Sequence, residues 1–141
     1  MSIFRTAAAL AAIVFTLGSA SAADPAGTWV TQKGDARIRV AHCGKELCAS
    51  VAWIKDNVDP KTGKAPLDER NPDPAKRGRK ILGLRIFSME ANDQGGWSGP
   101  IYNSDDGQTY RGRVALRGDL LDVQGCIVAV CGTQTWTRYG K

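Results

Sequence analysis

From residue 27 onward, apolar and polar residues alternate along the chain, and turn-forming Gly, Asp and Asn interrupt the alternation at short intervals. A period of two is the mark of half-buried β-strands, because successive side chains of a strand point to opposite faces. Segments 27–32, 36–42, 49–55, 81–90, 97–103, 108–116, 120–130 and 132–140 each read this way. Between them lie "KGD", "CGKEL", "NDQGG", "SDDG" and "RGD", short stretches whose residues tolerate the positive φ of tight turns. In 108–116, for example, Tyr110, Val114 and Leu116 fall on one side and Arg111 and Arg113 on the other. No heptad, helix-length amphipathic segment or internal repeat competes with this pattern. Eight antiparallel strands in sequential order must hide their edges, and closing the sheet on itself does so. The expected fold is therefore all-β: an eight-stranded antiparallel up-and-down barrel with one long loop after strand 3.

The first 22 residues stand apart. Arg5 precedes an apolar run at 7–18, and Ala20-Ser21-Ala22 has the small-x-small form of a signal-peptidase site. The run is too short to span a bilayer comfortably. Residues 1–22 are accordingly expected to be a cleaved secretory signal and residues 23–141 a single β-barrel domain, periplasmic or secreted, with no transmembrane segment. An oxidising compartment gives meaning to the cysteines. Four occur, in two C-x4-C pairs, "CGKELC" and "CIVAVC". Three connectivities are possible, and the local one, Cys43–Cys48 and Cys126–Cys131, is expected because each pair brackets a strand-to-strand bend. Zinc ribbons use C-x2-C spacing, which is absent, so no metal is expected. Nor does any motif call for a cofactor. The 19 basic residues against 14 acidic ones are interleaved along the chain, which argues against a nucleic-acid face. Oligomeric state is not legible at this level.

The long loop, residues 56–80, contains "DERNPDPAKRGRK" at 68–80. Asp73-Pro74-Ala75-Lys76-Arg77-Gly78 fits one helical turn, with Asp as N-cap, Pro at the first position and Gly at the exit. Asn71 and Asp73 each precede a proline and are held extended. Such a segment is ordered and reads as a lid over one barrel mouth. Two roles remain open for its charges. Arg77 and Arg79 form a fork for an anionic head group, or Asp68 and Asp73 pair with those arginines while Asn71 bonds backbone and the loop is held shut.

Gly27-Thr28-Trp29 near the start and Arg138 near the end have the form of the lipocalin arrangement, in which a G-x-W on the first strand meets a basic residue on the last. Trp29 and Arg138 are expected to meet at the barrel seam, the guanidinium over the indole. More widely, "GTWVT", "CGKELCASVAWIK", "GKAPLDERNPDPAKRGRKILGL", "GGWSGPIYNSDDGQTYRGRV" and "QGCIVAVCGTQTWTR" resemble the bacterial family catalogued as domain of unknown function 2147. The resemblance covers nearly the whole chain after residue 22. It implies an exported protein with a lipocalin-like barrel and brings no established catalytic residues.

An eight-stranded barrel has an interior that side chains fill or that holds one small ligand. Trp53, Trp97, Tyr102, Tyr110 and Trp136 are expected to alternate inward, either as filling or as the wall of a pocket. The candidate ligand-binding set is Trp53, Asp68, Asn71, Arg77, Arg79, Trp97, Tyr102 and Tyr110, and the expected partner is a small amphipathic or apolar molecule. Two other readings stand beside it. One is a ligand-free envelope interaction module with a solid core. The other is a hydrolase-like enzyme using Asp68 or His42, the single histidine. Asn103, Asp105, Asp106 and Gly107 read as a hairpin turn and not as a calcium loop.

Overall fold

The computed structural model describes residues 11–15 and 23–140. The expected signal cleavage point at Ala22 lies outside the described residues, as does most of the segment before it. Eight strands follow in order: β1 (Gly27–Val30), β2 (Ala36–Cys43), β3 (Glu46–Ile54), β4 (Arg85–Ala91), β5 (Trp97–Asn103), β6 (Gln108–Arg117), β7 (Leu120–Ile127) and β8 (Val130–Arg138). Each pairs antiparallel with the next, and β1 pairs with β8, so the sheet closes in the order β1 to β8. Among the described residues, no helix is long and apolar enough to cross a membrane.

Alternation places the connections β1–β2, β3–β4, β5–β6 and β7–β8 at one end of the barrel, called here the mouth. The other three connections and both described chain ends of the domain lie at the base. The core is built from inward positions: Trp29, Ile38, Val40, Leu47, Ala49, Val51, Phe87, Met89, Val114, Leu121, Val123 and Trp136 are all buried in one cluster. Two disulfides close the turns as the spacing predicts. Cys43–Cys48 spans the β2–β3 turn at the base and Cys126–Cys131 the β7–β8 turn at the mouth.

Several strand boundaries differ from the sequence reading. β1 stops at Val30 and not at residue 32, and the β7–β8 turn falls at Val128 and Ala129, inside the expected strand 120–130, with Val128 at φ of 54°. β3 begins at Glu46, because "CGKEL" needs only Gly44 and Lys45 to turn, Gly44 taking φ of 64°. β4 begins at Arg85 and not at residue 81. Residues 81–84 instead fold back onto β3, with Gly83 N–H donating to Val51 O at 2.8 Å and Val51 N–H donating to Leu84 O at 2.9 Å. The turn at Pro74–Lys76 forms as expected, a single 3-10 turn with Ala75 N–H donating to the Asp73 side chain at 3.0 Å.

Candidate functional site

The base is sealed by the first and last strands. Trp29 is opposite Arg138 in the β1–β8 register. The Arg138 guanidinium carbon sits 4.3 Å from the indole centroid. Its Nη1 and Nη2 each donate at 3.0 Å, to Ala26 O and Asp24 O. The indole Nε1–H donates to Pro25 O at 2.8 Å. A side chain at position 27 would meet Arg138 Nη1 at 2.8 Å, so the glycine of the G-x-W motif makes room for the plug. The buried indole thus has its one polar group satisfied and its face covered by a cation whose own donors reach carbonyls.

At the mouth, the long β3–β4 insert is fastened by one buried carboxylate. Asp68 is 0% exposed. Its Oδ1 accepts from Tyr102 Oη–H at 2.5 Å, and its Oδ2 accepts from Asn71 Nδ2–H and Arg79 Nη2–H, both at 2.9 Å. Its backbone N–H donates to Arg79 O at 2.8 Å, and Arg77 Nε–H donates to Asn71 O at 2.8 Å. Burial acts to raise the Asp68 carboxyl, but bonds from Tyr102, Arg79 and Asn71 outweigh it and hold its pKa below the ordinary aspartate value. The same burial and the bond to Asp68 push the Tyr102 phenol up to about 12. A second fastening lies alongside. Arg70 donates through Nη1 to Asp105 O in the β5–β6 turn, and Gly107 packs against the Arg70 carbonyl. That turn is the hairpin expected of "NSDDG": Gly107 N–H donates to Asn103 O at 2.8 Å, and the Asn103 side chain accepts from Asp105 N–H at 3.0 Å.

Of the residues singled out in the sequence, Asp68, Asn71, Arg77, Arg79 and Tyr102 therefore come together, and what they bind is each other. Of the two roles open for these charges, the internal one forms in part: Arg79 pairs with Asp68 and Arg77 donates to a backbone carbonyl, while Asp73 caps the 3-10 turn and pairs with no arginine among the described residues. The aromatic reading is corrected in part. Trp53 does not face inward. A bulge between Arg37 and Ile38 places it opposite Arg37, which in turn is opposite Val30, the outward neighbour of Trp29. There Arg37 is sandwiched on the outer wall, 4.2 Å from the Trp53 ring and 3.9 Å from the Tyr139 ring. Tyr102 also leaves the inner face, since its neighbour Ile101 pairs with buried Phe87, and its hydroxyl is claimed by the insert. Trp97 and Trp136 do face inward and pack with the core near the base. Tyr110 shares the inner side of β6 with Val114, and its hydroxyl is bonded to Asp106. His42 is near the base, 2.8 Å from Asp24, and the structure does not bring it together with Asp68.

The feature that the sequence reading missed is the state of the upper interior. Four glycines stand in register across β5 to β8: Gly99, Gly112, Gly125 and Gly132. They share the inner face with Val114, Val123 and Gln134. Their surroundings change steadily around the barrel. A Cβ on Gly112 would strike Met89 Cε at 2.5 Å, one on Gly125 would touch Tyr110 Cβ at 3.2 Å, and one on Gly132 would meet nothing within 4 Å. On β8 the inward-facing residues of this region are exposed: Gln134 just below the row, Gly132 in it and Val130 above it. The inner face is packed around Val114, Val123 and Met89, while on β8 the stretch from Val130 to Gln134 is exposed. The spacing of "SGP", "RGR", "QGC" and "CGT" was the available signal, but its meaning depends on strand register, which single segments do not reveal.

The family described as "Uncharacterized protein conserved in bacteria (DUF2147)" matches residues 27–138. No curated protein matches the chain. Among solved structures, the chain is similar to one described as protein HP1028 from the human pathogen Helicobacter pylori, belonging to the lipocalin family. The TM-score is 0.70 at 22% identity, over 85% of this chain and 86% of that one.

Proposed function

Because the chain belongs to this bacterial family and folds as a closed eight-stranded lipocalin-like barrel, we propose that it binds one small amphipathic or apolar molecule in the open upper half of the barrel. The carrying observation is the asymmetry of the interior. A sealed base under Trp29 and a packed middle lie below a mouth at which Gly132 has free space around it. Barrels of this size hold one small ligand where side chains leave room. Tyr110, Gly125, Gly132 and Gln134 form the near wall of that space, a mixture of ring, bare backbone and amide suited to an apolar body with a polar end. The insert does not supply the head-group contact in this reading. Its charges hold it in place beside the mouth, so the shape of the entrance does not vary.

Two disulfides support residence in an oxidising compartment, and export through residues 1–22 belongs to the same proposal. Purification from periplasmic and cytoplasmic fractions of the native cell, followed by native mass spectrometry of each, tests both claims. The expected result is a chain beginning at Ala23 that carries a small-molecule adduct, released by Gly132→Trp. A clean ligand-free mass, together with no displacement of an apolar fluorescent probe, would sink the binding claim. Recovery of the chain only from the cytoplasmic fraction, with residues 1–22 retained, would sink the export claim alone.

A further inference from the structure

The seam that closes the barrel is much shorter than the strand on one side of it. β8 has nine residues and β1 has four. Their register contains only Trp29 with Arg138 and Val30 with Thr137. Above that point, Val130–Gln134 of β8 has β7 on one side and, among the described residues, no strand on the other. All five of these residues are exposed. The end of the seam is marked by Gln32, whose side-chain carbonyl accepts from Thr135 N–H at 2.9 Å. Backbone groups of a strand alternate in direction. Since Thr135 points toward the β1 side, Cys131 and Thr133 point there too, and their N–H and C=O groups face outward along the edge.

Natural sheets blunt such an edge with Lys, Pro, a bulge or an inward charge. None is present here: from Val123 to Thr137 there is no charged residue, in a chain that is 23% charged. Val128 and Val130 at the hairpin tip are 83% and 78% exposed. The tip is also held stiffly, with Cys126–Cys131 closing it and Arg111 Nη2–H donating to Val128 O at 2.6 Å. A stiff, uncharged, unblunted edge is a template for another strand.

We propose that two copies of this chain pair antiparallel through the free β8 edge, about a two-fold axis at Gly132. Such an axis sets Cys131 opposite the partner's Thr133 and Thr133 opposite the partner's Cys131. Both residues present outward-facing backbone groups, so each pair exchanges its N–H···O bonds, on the order of four bonds in all. Val130 then lies opposite the partner's Gln134. A two-fold contact brings each residue near its own copy or a symmetry mate, so any charge in the strand would repel itself. The absence of charge over this stretch removes that obstacle. A second copy fits the edge in register and in charge, and its hydrogen-bonding period is the edge's own.

An edge of five residues forms a small interface, so the dimer is concentration-dependent and weak. Sedimentation velocity on the protein in the form the cell accumulates reads it directly. The expected result is a shift from monomer to dimer mass as concentration rises from about 1 μM to about 1 mM. Thr133→Pro deletes an N–H that faces the free edge and none of the bonds to β7, so the barrel survives and the dimer is lost. Gly132→Cys places two thiols across the axis, in space that is empty in one copy, and yields a covalent dimer in oxidising buffer. Monomer throughout the range, or dimer that Thr133→Pro leaves intact with an unchanged circular dichroism spectrum, overturns the proposal; in the first case the edge serves a strand from another protein or none.

Discussion

Replacing Tyr102 with Phe isolates one bond of the carboxylate latch. The phenol and the ring stay the same size apart from one oxygen, so packing is retained. What is lost is a hydroxyl donor to a fully buried carboxylate, at 2.5 Å. Bonds to charged groups contribute about 1.5–3 kcal/mol net, and the remaining donors, Asn71 and Arg79, keep Asp68 ionised. We expect Tyr102→Phe to cost about 2 kcal/mol, which raises the opening constant of the insert roughly 30-fold. Asp68→Ala removes the acceptor of all three side-chain donors at once and leaves the buried Asn71 amide without its partner. Its expected cost is larger, about 3–5 kcal/mol, and the two substitutions together should fall well short of the sum of their separate effects. Urea unfolding reads the global change. Hydrogen exchange reads the local one, at the Asp68 amide bonded to Arg79 O and the Ile81 amide bonded to Pro66 O. If Tyr102→Phe leaves the urea midpoint unchanged and speeds neither amide more than about twofold, the carboxylate is not what holds the insert.

The latch also has a pH window. Asp68 titrates below the ordinary 3.8 when folded, so its contribution is present above that value and disappears as pH falls through the lower folded one. Tyr102 is raised from 10.0 to about 12, so its contribution is present below 10 and is lost as pH rises through about 12. Insert protection should accordingly stay flat from pH 5 to 9, with one of the three phenols ionising near pH 12 by ultraviolet absorbance. Gly107→Ala places a methyl 1.9 Å from Arg70 O at φ of 71°, and should release the insert to proteolysis at a cost of about 1–3 kcal/mol. Arg138→Ala uncovers the Trp29 indole and should cost about 2 kcal/mol by urea unfolding, with red-shifted tryptophan emission. Opening either short disulfide loop by paired Cys→Ser replacement should cost roughly 2 kcal/mol each, measured the same way.

Strand count, strand order and closure follow from information that is local in the chain. Each strand announces itself by alternation, each hairpin but β7–β8 (which turns at Val128 and Ala129) by its Gly, Asn or Asp, and sequential antiparallel pairing leaves few topologies besides closure. The base plug was legible for the same reason, since first and last strands are neighbours in any closed barrel and Trp29 and Arg138 stand on them. Both disulfides join residues five apart, so chain proximity alone favoured them.

What the alternation does not contain is phase. One bulge between Arg37 and Ile38 reverses the face on which Trp53 falls, and no residue type at that point announces it. The insert showed its charges but not their partners, because Asp68 meets a hydroxyl 34 positions away, and a carboxylate, a guanidinium and an amide can pair with each other as readily as with a ligand. The short seam was equally hidden. Whether β8 is covered along its whole length depends on where β1 stops against it, and that is a length comparison between the two ends of the chain. The sequence by itself determined a closed, stapled barrel with a plugged base. Only the tertiary structure decided which face each ring takes, that Asp68 meets Arg79 and Tyr102 to hold the insert, and where β8 is left without a neighbour, because those depend on register between segments far apart in the chain.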